Sequence, residues 1–213
     1  MKASVRTRRV TITAMFGAIA TILMFFEMPI PFMPPFLKFD PSSVPILIGS
    51  FILGPAAGVV MVFIKAFVHF FSSTTGGVGE LADFIITSSF VVSAALVYRR
   101  FHTKKGAIMA CVAGTVAIAI AGVLANKFLI LPFYSTVMPL ESIFKMCAAV
   151  NPLIVDTNSY LFFGVLPFNI LKGVAVSLLT FPVYKKLSGH IRHFILMVEP
   201  DSPSVNSIST KQC

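Results

Sequence analysis

The sequence predicts an all-α integral membrane protein of about six transmembrane helices, with both termini on the cytoplasmic side. Three observations carry this expectation. Of 213 residues, 56% are apolar and 12% charged, where a soluble domain carries about 25% charge. Mean hydropathy is +0.90. The apolar residues fall in runs separated by proline clusters, glycine-rich links or basic clusters, and a span needs roughly 20 residues. A soluble enzyme, a disordered chain and a disulfide scaffold are excluded on composition, and no length remains for a second soluble domain.

The first helix is expected over 11–26, after a basic cytoplasmic segment, 1–10, that holds Lys2, Arg6, Arg8 and Arg9. No small-x-small cleavage site follows it, so it reads as an uncleaved span. Pro29, Pro31, Pro34 and Pro35 forbid helix over 27–41, which is outer loop 1. Helix 2 is expected over 43–53, too short to span upright, and Gly54-Pro55 is a turn signal. Helix 3 follows over 56–71, a flexible SSTTGGVG link over 72–79, and helix 4 over 80–98. After the basic link 99–105, helix 5 is expected over 106–131, ending where Pro132 begins a long outer loop, 132–159. Helix 6 is expected to start at Pro167, because proline suits the first helical position, and to end near Tyr184. The six-helix membrane domain is thus 11–188. Residues 189–213 form a polar, serine-rich cytoplasmic tail whose last dozen residues read as disordered.

The net charge of +9 is a topology signal. Lys2, Arg6, Arg8, Arg9, Arg99, Arg100, Lys104, Lys105, Lys185, Lys186, Arg192 and Lys211 all fall on one side of a six-span arrangement, which makes that side cytoplasmic. Glu27, Asp40, Glu80, Asp83, Glu141 and Asp156 lie on or near the other side. No nucleic-acid partner is expected. Cys111, Cys147 and Cys213 fall in no metal-ligand spacing. No phosphate-binding loop is present, so the chain cannot itself hydrolyse ATP.

Charged groups inside a span are expensive and therefore functional suspects. Lys65 and His69 share a face of helix 3, and Lys65 reads as snorkelling or paired with a carboxylate. Asn126 and Lys127 lie near the outer end of helix 5, and Asn169 and Lys172 share a face of helix 6. These donors and amides suit a ligand with carbonyls and ring nitrogens; a polar clamp between helices would look the same. Glu80 complements the helix 4 dipole. Asp83 lies deeper and needs a partner among Lys65, Lys127 and Lys172. Ala14 and Ala18 form a small-x-x-x-small pattern that permits close helix approach.

In their joint order, several segments resemble the substrate-binding (S) component of energy-coupling factor (ECF) vitamin transporters, most closely the riboflavin-specific branch. They are AMFGA at 14–18, FLKFD at 36–40, SVP at 43–45, LGPAAG at 53–58 and GELADF at 79–84. They continue with Asn126, LILP at 129–132 and LPFNILKG at 166–173. The resemblance runs over about 10–188. It implies a six-helix subunit of the bacterial plasma membrane that binds riboflavin near the outer face. Delivery would depend on a transmembrane coupling subunit and two cytoplasmic ATPases. It assigns no catalysis and no resident cofactor or metal, riboflavin being cargo. It makes Asn126, Asn169 and Lys172 flavin contacts, Phe36, Leu37, Lys38 and Asp40 part of a loop 1 lid, and Ala14 and Ala18 the docking surface for the coupling subunit. Glu80 and Asp83 complete the candidate ligand set, although the family pattern puts Asn at position 83. The competing readings are another vitamin or FMN as ligand, a membrane enzyme acting on lipid headgroups through His69, Glu80 and Asp83, and a self-sufficient transporter or channel.

Overall fold

The computed structural model describes residues 5–31, 33–34, 37–73, 76–137 and 139–198, and the chain is helical through most of them. In order come α1 (Val5–Met24), a two-residue antiparallel pair β1 (Met28–Pro29) and β2 (Lys38–Phe39), α2 (Ser43–Leu53), α3 (Pro55–Phe70) and α4 (Val78–Arg100). Then come α5 (Lys104–Ala125), a π-helical turn (Asn126–Ile130), α6 (Leu131–Val137), α7 (Leu140–Ala148) and α8 (Thr157–Tyr160). A second π-helical turn (Leu161–Val165) leads into α9 (Leu166–Val198).

The short helix α2 is the axis of the bundle. It is apolar all round, and such a helix must be enclosed. It packs against α1, α3, α4 and α9, burying Ile46, Leu47 and Phe51 with Met61, Val62, Phe90 and Val91. At Gly54, φ is +91°, and the chain reverses there directly into α3 with Pro55 at the first helical position. At Gly58 a Cβ would meet Val91 Cγ1 at 2.4 Å and Ser50 Cβ at 2.9 Å, so α2 and the Val91 side chain of α4 close on α3 there.

Outward faces are apolar. Met15, Ile19 and Ile22 on α1, Val60, Phe63 and Phe67 on α3, and Val112, Val116 and Ile120 on α5 are all exposed. Water-soluble proteins rarely expose so much continuous apolar surface. The stretches Val78–Arg100, Lys105–Thr136 and Thr157–Lys186 are each long and apolar enough to cross a bilayer, and α2 and α3 are shorter apolar helices. This is a membrane protein. One end of the bundle is basic: Arg9 Nη2 donates to the Leu53 carbonyl at 3.0 Å, the Arg99 guanidinium lies against Gly54, and Tyr98 meets Tyr184 hydroxyl to hydroxyl at 2.9 Å.

Several boundaries differ from the sequence expectation. Helix α1 starts at Val5 and α9 runs to Val198, because a drop in hydropathy ends a membrane span but not a helix, and Arg and Lys are good helix formers. The last dozen residues, expected to be disordered, lie outside the described residues. The stretch 132–159 is not a bare loop, since it carries α6, α7 and α8. Helix continues through both Pro132 and Pro167. Each proline follows a residue whose N–H reaches five residues back, Leu131 to Asn126 and Leu166 to Leu161. The wide turn moves aside the carbonyl that a proline ring would otherwise strike. Loop 1 carries the antiparallel pair, with Met28 opposite Phe39 and Pro29 opposite Lys38.

Candidate ligand-binding site

At the end of the bundle away from Arg9 and Arg99, four charged side chains from four segments meet below loop 1. Lys172 Nζ on α9 donates to Asp40 Oδ2 at 3.1 Å and to Asp83 Oδ1 at 3.2 Å. Lys65 Nζ on α3 lies 2.9 Å from Asp83 Oδ2 and 3.8 Å from Asp40 Oδ1, and donates to Ser42 Oγ at 2.7 Å. Ser42 also donates its backbone N–H, at 3.0 Å, and its hydroxyl to Asp40. Thr87 adds a hydroxyl donor to Asp83 at 3.1 Å. Lys65 is 0% exposed, Asp40 4% and Lys172 5%. Two ammoniums against two carboxylates make the cluster neutral, which is how charges persist where desolvation is costly. Asp40 belongs to the loop ahead of α2. Burial pushes its carboxyl upward, but the Lys172 and Lys65 ammoniums and the Ser42 hydroxyl outweigh burial and hold it below the usual carboxylate range.

Beside this cluster lies a cavity of about 140 Å³, lined in part by Leu37, Asp83, Asn126, Asn169, Lys172 and the rings of Tyr134 and Phe168. The π-helical turns place the two asparagines. Asn126 opens the first turn and donates Nδ2–H to the Gly122 carbonyl at 2.8 Å. Asn169 follows the second turn and donates to Val165 O at 2.9 Å. Its amide packs where a Cβ on Gly122 would sit, 2.3 Å from Nδ2, so only glycine lets α5 and α9 close here. Tyr160 donates its hydroxyl to Asn126 Oδ1 at 2.8 Å.

The structure thus gathers Leu37, Asp40, Asp83, Asn126, Asn169 and Lys172 in one place. Lys38 reaches the cavity rim and forms an ion pair with Glu27. Phe36 lies outside the described residues. Glu80 is elsewhere, at the start of α4, where its carboxylate accepts from Ser73 Oγ at 2.7 Å and lies 3.0 Å from His69 Nδ1; it does not line the cavity. Lys127 is exposed, 5.6 Å from the Phe128 ring centroid, and pairs with neither aspartate. Ala14 and Ala18 are exposed on α1, while Gly17 and Ala20 are buried. Sequence reasoning missed Ser42, Gly122 and Tyr160. Tyr160 fell between the expected outer loop, 132–159, and the expected helix 6, and only its amphipathic aromatic character could have marked it. Among the described residues no cluster of three potential metal ligands is present.

The family "ECF transporter, substrate-specific component" matches residues 8–184. The riboflavin transporter RibU of Staphylococcus aureus (strain TCH60) is 31% identical over 187 residues, covering 88% of this chain and 94% of the relative. The riboflavin transporter FmnP of Bacillus subtilis (strain 168) is 29% identical over 187 residues, covering 85% and 93%. A solved S component of a bacterial ECF transporter superposes with a TM-score of 0.70 at 28% identity, over 87% of this chain and 98% of that one. The chain belongs to the substrate-specific components of ECF transporters.

Proposed function

We propose that this chain is a riboflavin-binding S component: it captures the vitamin at the outer face and releases it inward when docked on a transmembrane coupling subunit driven by two ATPases. The observation that carries the reading is the cavity itself. Its polar side chains are two amides, the Tyr134 hydroxyl, a Lys38 ammonium paired with Glu27, and a Lys172 ammonium shared between Asp40 and the lining carboxylate of Asp83, and its walls include the rings of Tyr134 and Phe168. Such a set fits a flat, uncharged heteroaromatic ring with carbonyls and ring nitrogens, and the named relatives are riboflavin transporters. A phosphate ester is the less favoured ligand. Lys65 and Lys172 are balanced by Asp40 and Asp83, and Lys38 by Glu27.

On this reading the chain has six spans, with the basic end facing the cytoplasm and the cavity facing out. It performs no chemistry, and riboflavin is its cargo. A cavity of about 140 Å³ is below the roughly 300 Å³ at which ligand pockets begin, so the site must widen to admit a flavin. An absorbance spectrum of the detergent-purified chain, followed by titration with a panel of vitamins, tests the reading. Tight binding of riboflavin is expected. Saturable binding of a different vitamin, with none of riboflavin, would overturn it.

A further inference from the structure

We propose that Tyr160 is a positioning residue of the ligand site: its hydroxyl fixes the Asn126 amide so that Asn126 meets the ligand as a hydrogen-bond donor. This rests on the reading of Asn126 as a ligand contact. The orientation follows from hydrogen-bond chemistry. The Gly122 carbonyl can only accept, so the amide nitrogen of Asn126 must face it, at 2.8 Å. The amide oxygen then faces Tyr160, and the tyrosine hydroxyl must donate, also at 2.8 Å. With one amide hydrogen on Gly122 and one lone pair of the oxygen on Tyr160, the donor that Asn126 has left for the cavity it lines is its second N–H.

Tyr160 itself is rigid. It is 0% exposed, it packs with Ile143, Cys147, Ile154, Leu161 and Val165, and its ring centroid lies 6.5 Å from that of Phe144. It is the last residue of α8, immediately before the second π-helical turn, while Asn126 is the first residue of the other. The hydroxyl therefore ties together the entrances of the two irregular turns that carry the ligand groups. A buried tyrosine needs some acceptor, and a backbone carbonyl would serve a purely structural role. Here the acceptor is a side chain that lines the cavity.

Three variants of the full-length purified chain test this: Tyr160→Phe, Asn126→Ala and the double variant. Riboflavin affinity is read by fluorescence quenching and folding by the melting temperature. Tyr160→Phe keeps the ring packing and should weaken riboflavin binding about tenfold, since the amide is then held at one point only. The double variant should bind no more weakly than Asn126→Ala alone, because the hydroxyl acts through the amide. It also removes both hydrogen-bond partners, so no orphaned polar group threatens its folding. Wild-type affinity in Tyr160→Phe would overturn the proposal. So would an equal penalty on both backgrounds, which would mean a general effect on the fold. A second readout needs no ligand. In asparagine-¹⁵N-labelled protein, the Asn126 side-chain amide, identified by its absence in Asn126→Ala, should exchange with solvent at least tenfold faster in Tyr160→Phe. Unchanged exchange would overturn the positioning role. If the wild-type chain takes no riboflavin, the functional reading falls, and the exchange result alone decides the role of Tyr160.

Discussion

Lys172 holds Asp40 at 3.1 Å and Asp83 at 3.2 Å, and Lys65 closes the square from the other side. Changing one corner changes the charge that a ligand meets. Asp83→Asn keeps the shape and leaves the cluster one positive charge in excess, so a phosphate ester should gain relative to the neutral vitamin. We expect the ratio of FMN to riboflavin affinity to rise about tenfold, measured by titration of the purified variant with both. An unchanged ratio would mean that charge balance at this cluster does not set ligand choice. Helix spacing could place Asn169 and Lys172 on one face, and the cost of an intramembrane charge could say that Asp83 needs a partner. The Asp40–Lys172 pair spans 132 residues, and no local pattern announces such a contact. Tyr160 and Ser42 were silent for the same reason: a hydroxyl acquires its role only when packing brings it an acceptor.

Two kinds of helix boundary behaved differently. Proline-rich loop 1 and the Gly54-Pro55 turn were legible, because backbone sterics act locally. The π-helical turns were not. Proline read as a stop is correct for an α-helical ladder, and these helices pass Pro132 and Pro167 by widening the preceding turn. The wide turn at 161–165 sets the rotation of Asn169 and Lys172 relative to everything before it. Deleting Phe162, which is 69% exposed, should let the segment close as regular α-helix with its flanks in phase, which sets the Pro167 ring against a backbone carbonyl at a cost of about 3 kcal/mol. The melting temperature should fall clearly below that of wild type; an unchanged melting temperature would show that the wide turn is not what lets the helix pass Pro167. At the other end of this segment, Asp156 caps α8 by accepting from Ser159 N at 2.8 Å, and the Ser159 side chain answers to the Asp156 backbone. The Ser159 hydroxyl and backbone N–H hold the Asp156 carboxyl below its ordinary value. A depressed carboxyl contributes fully above the unfolded-state value and loses that contribution as pH falls through the folded one. Amide exchange at 157–160 should therefore speed up under acid relative to neutral pH, after correction for intrinsic rates. Asp156→Asn should flatten that dependence, and an equal acid response in the variant would assign it elsewhere.

At the scale of the whole molecule, the proposed ligand site and the proposed docking surface lie toward opposite ends. The cavity lies under loop 1, while Arg9, Leu53 and Arg99 mark the basic end. Ala14 and Ala18 lie on the exposed side of α1, with Ala14 about 7.5 Å along the axis from Arg9 at 1.5 Å per residue. Other positions of the same helix are committed to the bundle: Gly17 lies against Ile64 at 3.1 Å from where its Cβ would be, and Ala20 and Met24 are buried. Bulk added at 14 and 18 therefore projects outward and leaves the core packing alone. Small side chains facing lipid permit a partner helix to approach backbone to backbone, and tryptophan at both positions removes that possibility. The double substitution Ala14→Trp with Ala18→Trp should leave riboflavin affinity within about twofold of wild type. It should abolish co-purification with the coupling subunit and uptake by cells that depend on this chain for the vitamin. Wild-type uptake would place the docking surface elsewhere. Loss of flavin binding together with uptake would show that α1 supports the pocket, and capture and coupling would then share one structural unit.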